Sequence, residues 1–242
     1  MTPFSFTIQI GAESLSISGS LPDGECEVTE IIPLLLKIGE EIVAAAIRQA
    51  PPATTISCGP GCGACCRQLV PISLSEAAYL RHVVLPQLPP DQRQRVAQRL
   101  SAAAATLASN NLYEPLLQLP LETHPERRQA IGLRYFLLGI ACPFLENDSC
   151  SIHPIRPLAC REYLVTSPAP CCANPSKDQI DPLRIPQQPS HALIQLDAAD
   201  TASSGWLTML IALLTEPAPT PRRIPQPVEF LKTFLTHLLR NR

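Results

Sequence analysis

Apolar and polar residues alternate at the start of the chain. Between positions 4 and 17 every second residue is apolar, with a break at the stretch Gly-Ala-Glu-Ser of residues 11–14. Successive side chains of a β-strand point to opposite faces, so this period of two predicts a short β-hairpin with one buried face. That face would consist of Phe4, Phe6, Ile8, Ile10, Leu15 and Ile17.

The pattern then changes to apolar residues at every third or fourth position, which is typical of a helix. A first helix is predicted from Thr29, as its cap, to about Ala50, with Pro33 in the first turn, where proline is tolerated. Pro51 and Pro52 end this helix, because the residue before a proline avoids the helical conformation. Its buried face comprises Ile31, Leu35, Ile38, Ile42 and Ala46.

Further helices are predicted in the rest of the chain. A capping box, Ser-Leu-Ser-Glu at residues 73–76, begins the second helix. Gly139 is expected to close the fourth, Pro157 to open a short one, and Ser190 or Asp200 to cap another. The last helix either closes the core or docks on a protein partner. The longer predicted helices span residues 74–85, 91–109, 125–138, 206–214 and 227–239.

Length and charge exclude several classes of protein. A chain of 242 residues with 45% hydrophobic residues buries enough apolar surface to fold without disulfides. The net charge of -2 gives no general attraction to nucleic acid or anionic membranes. The bases of the third helix, Arg93, Arg95 and Arg99, are expected on its solvated side, because no aromatic residues are interleaved with them. We therefore expect no nucleic-acid partner.

The charges are also distributed unevenly. Residues 1–57 carry seven acids and two bases, whereas residues 218–242 carry five bases and one acid. The two ends therefore either attract each other or form separate charged surfaces. The N-terminus lacks the basic region of a secretory signal, and the longest apolar run, residues 206–214, is about half the length of a membrane span. A cytoplasmic protein without a membrane partner is expected, in which thiols stay reduced.

The cysteines form the strongest motif. Four of the ten lie within nine residues, Cys58-Gly-Pro-Gly-Cys62-Gly-Ala-Cys65-Cys66, where glycine and proline favour tight turns over helix or strand. Further along, a polar turn at residues 146–149 would fold two cysteines toward each other. Cys26 stands apart and is interpreted as incidental. The candidate metal ligands are Cys58, Cys62, Cys65, Cys66, Cys142, Cys150, Cys160, Cys171 and Cys172.

Four thiolates complete a tetrahedral zinc site or hold one iron-sulfur cluster, such as a 4Fe-4S cluster. The surplus of cysteines means either two centres or cysteines that do not bind the metal. Arg67, Arg156 and Arg161 lie beside them and would offset the negative charge, unless they pair with acids such as Glu162. His153 follows Cys150 with the C-x-x-H spacing of a ligand, although this spacing also suits a surface or capping residue.

Two groups of these residues resemble a known family. They are Cys62-Gly-Ala-Cys65-Cys66-Arg67 and, downstream, Cys142-Pro-Phe-Leu followed by Cys150-x-Ile-x-x-x-Arg156-Pro157-x-x-Cys160-Arg161. This pattern is similar to the YkgJ-type cysteine-cluster family of zinc- or iron-chelating domains, to which flagellin lysine methylases are related. The resemblance covers roughly residues 58–165 and implies metal binding. The family usually has C-x-x-C-x-x-C-C, but three residues separate Cys58 from Cys62, so Cys62, Cys65 and Cys66 are the first choice as ligands.

Together these patterns predict a mainly α fold, a helical domain with a short N-terminal β-hairpin and Cys-rich metal-binding loops. A single domain, 1–242, would contain the hairpin and first helix (1–57), the cysteine core (58–172) and a helical extension (173–242). No serine triad, phosphate loop or carboxylate pair is present, so the sequence assigns no catalytic residue.

Three functions remain open. The first is a cysteine-ligated metal protein. The second is an iron-sulfur enzyme such as an S-adenosylmethionine-dependent protein methylase, because Cys58-x-x-x-Cys62-x-x-Cys65 has the spacing of radical enzymes, although the strand-helix alternation of their barrel is missing. The third is a thiol redox module that uses the neighbouring cysteines 65–66 or 171–172.

Overall fold

A computed structural model describes residues 1–59, 61–173, 180–201 and 203–240. Most of its regular structure is helical, and its strands form two-stranded antiparallel pairs. The predicted mainly α fold with an N-terminal hairpin is confirmed. No helix in this part of the chain is long and apolar enough to span a membrane.

The predicted hairpin consists of strands β1 (Thr2–Ile10) and β2 (Glu13–Leu21). Ile10 pairs with Glu13 across a tight turn, in which Gly11 has a φ of 56° that favours glycine. The apolar face packs into the core, as the alternation of residues predicts. The side chain of Gln49 fixes the turn, because it donates a hydrogen bond to the carbonyl of Ile10 (2.9 Å) and accepts one from the backbone of Ala12 (2.9 Å).

Helix α1 (Val28–Arg48) follows a two-residue strand, β3 (Cys26–Glu27). The prediction that Thr29 caps this helix is wrong. Glu27 is the N-cap residue and forms a capping box with Glu30, so Thr29 lies in the first turn. The helix nevertheless buries the predicted face, because its apolar residues recur with the helical period.

The capping box at residues 73–76 is confirmed. Strand β4 (Pro71–Ser73) leads into α2 (Leu74–Tyr79), and the backbone of Glu76 donates to the hydroxyl of Ser73 (3.0 Å) while the backbone of Ser73 donates to the Glu76 carboxylate (3.0 Å). The helix continues as a π-helical turn (Leu80–Val84) and ends in α3 (Leu85–Gln87).

The third and fourth predicted helices are also present. Helix α4 spans Pro90–Ser109 and α6 spans Pro125–Leu137, and Gly139, with a φ of 63°, follows α6 as expected. Between them lies a short helix that the sequence pattern does not predict, α5 (Tyr113–Gln118), with a 3-10 turn (Leu119–Leu121).

The region around the second group of cysteines is made of short elements. Strands β5 (Leu145–Glu146) and β6 (Ser149–Cys150) form a small hairpin, a 3-10 turn (His153–Ile155) follows, and Pro157 caps helix α7 (Leu158–Glu162). A further 3-10 turn spans Ala169–Ala173.

The C-terminal part departs from prediction in two places. Helix α8 (Pro189–Thr201) contains both residues that were expected to cap a helix. Ser190 lies in its first turn and Asp200 near its end, so neither is an N-cap. The predicted helix of residues 206–214 begins as a strand, β7 (Trp206–Thr208), paired with β4, and only then becomes α9 (Met209–Leu214). The sequence pattern missed this, because a short apolar run suits a buried strand and a buried helix equally well.

The two ends of the chain meet. Strand β8 (Arg223–Ile224) pairs with β3, and Arg223 forms an ion pair with Glu25 (2.9 Å). Of the two expectations for the uneven charges, attraction between the acidic N-terminal and basic C-terminal regions is therefore the one that the structure shows. The last helix, α10 (Pro227–Arg240), buries its apolar face in the core. That face comprises Phe230, Leu231, Phe234, Leu235 and Leu238.

Two clusters of buried side chains organise these elements. The main core joins the hairpin, α1, α2, α8 and α10, and the second core joins α4, α5 and α6. Helix α9 lies between them, because Met209 and Leu213 belong to the main core, and Leu210 and Ile211 to the second. Cys142 and Cys150 pack against the main core, which therefore forms one side of the cysteine region.

Three carboxylates connect three helices in a closed cycle. Glu76 of α2 accepts a hydrogen bond from the backbone of Leu158, at the start of α7 (2.8 Å). Glu162 of α7 accepts one from the backbone of Ser190, in the first turn of α8 (2.7 Å). Asp197 of α8 accepts one from the backbone of Ser75, in the first turn of α2 (2.7 Å).

Each of these bonds satisfies an N–H group that a helix leaves free in its first turn, and each places a carboxylate at the positive end of the helix dipole. Glu76 and Asp197 are fully buried. Burial raises the pKa of both, and it raises the pKa of Glu162 to about 7. We call this arrangement the carboxylate cycle. It fixes the position of α7, the helix that carries Cys160.

Candidate metal centre

The first cysteine group lies in a loop without helix or strand, residues 58–66, of which Pro60 is outside the described residues. Two turns shape the loop. The backbone of Cys62 donates to the carbonyl of Gly59 (3.1 Å), and that of Cys66 donates to the carbonyl of Gly63 (3.0 Å). These turns bring successive thiols to one side of the loop, as its glycine-rich sequence predicts.

Gly63 sets the distance between the two cysteine groups. A Cβ atom on Gly63 would lie 2.6 Å from the Cδ1 atom of Leu145 and 2.7 Å from the carbonyl oxygen of Asp148, so only glycine fits against the β5–β6 hairpin. The backbone of Cys142 donates to the carbonyl of Cys66 (2.7 Å). Close backbone contact therefore joins the two groups, which the sequence predicts to face each other.

Helix α4 holds the β5–β6 hairpin from the other side. Arg95 and Arg99 form ion pairs with Glu146 (3.0 and 3.4 Å), and Arg99 also donates to the carbonyl of Pro143 (2.9 Å). Both arginines are partly exposed, which agrees with the solvated side expected for them, but their ion pairs with Glu146 were not predicted. Charge patterning missed their role, because the partner carboxylate lies about fifty residues away in the sequence.

Six cysteines line one cavity of about 120 Å³, which we call the six-cysteine cavity. Apolar side chains such as Leu69, Val70, Phe144, Ile152 and Met209 form much of the remaining wall. No pattern in the sequence predicts that Met209 of helix α9 lies at this wall. The cysteines are Cys62, Cys65, Cys66, Cys142, Cys150 and Cys160.

A second cavity of about 160 Å³ adjoins the first, and we call it the Cys58 cavity. It shares Cys62, Cys65 and Cys160 with the six-cysteine cavity and adds Cys58, whose sulfur accepts a hydrogen bond from the backbone of Val165 (3.4 Å). Cys58 is therefore at the edge of the cluster.

The remaining cysteines line neither cavity. Cys171 and Cys172 lie in the 3-10 turn 169–173, where the carbonyl of Cys172 accepts a hydrogen bond from the side chain of Gln68 (3.1 Å). Cys26 is buried in strand β3 and lines neither cavity either. Its separation from the other cysteines in the sequence is thus also a separation in space.

Comparison with known proteins is consistent with this arrangement. The family model described as "CxxCxxCC: Putative zinc- or iron-chelating domain" matches residues 57–180, about half of the chain. The chain belongs to this family. The match begins just before Cys58 and includes every cysteine except Cys26. It supports a metal-binding role for the CxxCxxCC domain, with zinc or iron as the metal. No curated protein and no solved structure matches the chain significantly.

The surroundings of several thiols in the CxxCxxCC domain favour their protonated form. Burial raises the pKa of Cys142 to about 12 and that of Cys160 well above its ordinary value. The pKa of Cys65 is raised first by its hydrogen bond with Cys66 and then by burial. Metal binding to these thiols must therefore release protons, so it competes with protonation.

Cys65 occupies the centre of the group. Like Cys62 and Cys160 it lines both cavities, and it lies close enough to five other cysteines that its ionisation would raise the pKa of each. Those cysteines are Cys58, Cys142, Cys150, Cys160 and Cys172. Any metal bound by several of these thiols would involve Cys65 or lie beside it.

Two further side chains, His153 and Tyr163, line both cavities. Burial and the neighbouring charge of Arg156 lower the pKa of His153, so its ring is neutral at physiological pH, which is the form that binds metals. Tyr163 hydrogen-bonds with Gln68 and with Cys172, and so connects the cavities to the 3-10 turn. The sequence pattern identified His153 but not Tyr163.

The donors present suit the metals that the family description names. Thiolates are the usual ligands of structural zinc and of iron-sulfur clusters, and the apolar wall would keep water away. Within the described residues, no three cysteine, histidine, aspartate or glutamate side chains are grouped closely enough to hold a single ion. The thiols surround a space instead. A water molecule needs about 10–15 Å³ of such space, so a cavity of about 120 Å³ has room for a group of several atoms.

Proposed function

We propose that this chain binds an iron-sulfur cluster in the six-cysteine cavity. The observation that carries the proposal is the placement of six cysteines around one cavity with an otherwise largely apolar wall. When bound, such a cluster would supply a redox-active or structural iron centre. The ligands would come from Cys62, Cys65, Cys66, Cys142, Cys150 and Cys160, with Cys65 at the centre.

The spacing of the thiols favours a cluster over a single zinc ion. Zinc binds sulfur at about 2.3 Å in tetrahedral geometry, which draws four sulfurs to within about 3.8 Å of each other. A polynuclear cluster places its cysteine ligands on separate iron atoms, farther apart. Thiols that enclose a cavity suit the second geometry better. The surplus over four leaves either two thiols unligated or room for a second centre.

The protein's own contribution is to hold the two cysteine groups together. Gly63 and the Cys66–Cys142 backbone bond join segments that are about eighty residues apart in the sequence. A metal that links them would also stabilise the fold, since it can bind only once both segments are in place. Reduced thiols are needed for this, which supports the expected cytoplasmic location.

The two alternative functions receive less support. The described strands form only two-stranded antiparallel sheets, which provide no barrel of the kind that radical S-adenosylmethionine enzymes use. For a thiol redox module, the raised pKa values of Cys65 and Cys172 disfavour the thiolate that would attack a disulfide. In each pair of neighbouring cysteines, one thiol is therefore disfavoured as a nucleophile by its surroundings.

The deciding experiment is metal analysis of protein purified without oxygen. We expect iron and acid-labile sulfide in equal amounts, and a broad visible absorption that bleaches on reduction. A colourless protein loaded with zinc would overturn the iron-sulfur assignment. A folded protein without any metal would overturn metal binding altogether.

Two matched variants locate the centre. Cys65→Ala removes the central thiol, and Cys26→Ala removes an equally large side chain that lies in β3 outside both cavities. We expect the first to lose most of its iron and the second to keep it. Equal iron contents in the two variants would contradict the proposed location.

A further inference from the structure

Three arginines lie within four residues of a cysteine in the sequence, and the structure gives them different surroundings. Arg67 follows Cys66, Arg161 follows Cys160, and Arg156 precedes Pro157. A centre built from four thiolates is negatively charged, and a neighbouring guanidinium can donate hydrogen bonds to its sulfurs. The arginine that is free to donate such bonds is the one that can compensate the negative charge of the centre.

Arg161 is already engaged elsewhere. Its side chain is 6% exposed and donates to the carbonyls of Arg156 (3.0 Å) and Pro154, and it forms an ion pair with Glu40 (3.5 Å). Arg161 lines neither cavity. It therefore fixes the backbone before α7 rather than the centre.

Arg67 lies outside both cavities. Its side chain is 38% exposed, its partner is Asp148 at 4.0 Å, and it lines neither cavity. The sequence position next to Cys66 is thus not matched by a position in the site.

Arg156 has the surroundings that the other two lack. It lines both cavities, and within the described residues it forms no ion pair with a carboxylate. One terminal nitrogen contacts the Nε2 atom of His153, which is neutral. Its Nε atom is buried and finds no acceptor among the described residues. The residue as a whole is half-buried, but a buried N–H group without an acceptor is unfavourable, so the position of Arg156 suits an acceptor such as a thiolate in the cavities.

We propose that Arg156 is the residue that compensates the negative charge of the thiolate centre, and that Arg67 and Arg161 are not. This rests on the proposed function, since it requires thiolates bound to metal in the six-cysteine cavity. The guanidinium lies near enough for its charge to act on the sulfurs of Cys58, Cys65, Cys150 and Cys160. The apolar wall strengthens this attraction, because little solvent screens it.

The test compares full-length Arg156→Met, Arg156→Lys and Arg67→Met with the unaltered protein. Metal-free samples are titrated with cobalt(II) in competition with a chromogenic chelator, and thiolate-to-cobalt absorption reports ligation by cysteine. We expect Arg156→Met to weaken cobalt binding by roughly 10- to 100-fold, the usual effect of removing a group that supports metal ligands. Arg156→Lys keeps the charge and should recover most of the affinity, and Arg67→Met should bind as the unaltered protein does.

A second readout excludes a purely structural role for Arg156. In the metal-free protein the guanidinium lacks its anion, so Arg156→Met should unfold at the same denaturant concentration as the unaltered protein or a higher one. The inference is overturned if Arg156→Met binds cobalt as tightly as Arg67→Met does. It is also overturned if the metal-free Arg156→Met protein is destabilised enough to account for its weaker cobalt binding.

The two proposals fail in different ways. If the unaltered protein binds cobalt through cysteine but assembles no iron-sulfur cluster, the iron-sulfur assignment is wrong while the arginine comparison still decides the role of Arg156. If the unaltered protein shows no thiolate-to-cobalt absorption, the metal centre itself is wrong, and the inference about Arg156 is overturned with it.

Discussion

The two cysteine-bearing segments that face each other are held in different ways. The first, residues 58–66, is a loop whose described internal order consists of two backbone turns. The second, residues 142–162, contains a small hairpin and helix α7, and it is tied to the rest of the protein through Glu146 on one side and Glu76 on the other. One wall of the six-cysteine cavity is thus built by the fold, and the other is a loop laid against it.

This difference explains where a metal would matter most. A segment fixed by buried hydrogen bonds keeps its shape whether or not its thiols bind a metal. A loop with few bonds of its own gains most of its order from whatever joins it to the opposite wall. We therefore regard residues 142–162 as the scaffold and residues 58–66 as the part that the metal orders.

Removal of the metal should reveal the largest difference between the two cysteine-bearing segments. We expect amides in residues 57–68 to exchange with deuterium on the order of 100-fold faster in the metal-free protein, because a metal contributes many kcal/mol to the order of its ligand loops. Amides of helix α7 should change far less, since Glu76 holds its start. Hydrogen exchange with mass spectrometry measures both in one sample. Equal acceleration in the two segments would contradict the division into scaffold and ordered loop.

The contact between the walls can be tested with glycine variants. Gly63→Ala would push against Leu145 and the backbone of Asp148, and overpacking of this kind lowers the unfolding free energy by about 1–3 kcal/mol. Gly59→Ala is the matched control, because a Cβ atom there meets nothing within 4 Å, and we expect a change within about 0.5 kcal/mol. Urea unfolding of the metal-loaded variants measures the difference. Two equal effects would show that the loop does not rest against the hairpin.

In the scaffold we expect a smaller effect, which is a pH-dependent contribution of Glu76 to the unfolding free energy. Burial raises the pKa of Glu76 above its ordinary value of 4.5. The folded protein therefore keeps a proton that the unfolded chain releases, so this group's contribution to stability is full below pH 4.5 and is lost as the pH rises through the raised pKa. Glu76→Gln cannot titrate. The destabilisation it causes should hence be smaller at pH 8 than at pH 5.5, by about 1 kcal/mol.

Unfolding measurements at both pH values, on the unaltered protein and Glu76→Gln, provide this test. Glu41→Gln, on the exposed face of α1, serves as the control for a neutralised surface carboxyl. A destabilisation by Glu76→Gln that grows toward pH 8 would mean that the buried carboxyl is stabilised in its charged form instead.

The comparison also shows which parts of the molecule the sequence could predict. Regular periods of apolar residues identified the hairpin, α1, α4 and α10, because one buried face imposes a repeat that no other structure requires. The capping box at 73–76 was equally predictable, since both of its hydrogen bonds are local. The cysteine loop was recognised from its composition.

Features that depend on distant partners could not be predicted. Nothing local distinguishes Arg156 from Arg67 or Arg161, since only the folded chain decides which of them faces the thiols. For the same reason the link from Glu76 to Leu158 was missed, because the sequence explains Glu76 fully as a partner in its own capping box. Similarly, the strand β7 exists because β4 is there to pair with it.

The carboxylate cycle shows that the cysteine-bearing region depends on residues outside the family match. The family match stops at residue 180, yet two of the three links in the cycle use Ser190 and Asp197. A fragment of residues 57–180 would carry every cysteine of the cluster and still leave Ser75 and Glu162 without their partners. The backbone N–H of Ser75 in the first turn of α2 would then lose its acceptor, although the capping box at residues 73–76 would remain, and the helix that presents Cys160 would lose one of its neighbours. We therefore expect that residues 57–180 alone do not hold the cysteines in the same geometry. That geometry also depends on helix α8, which lies beyond the end of the family match.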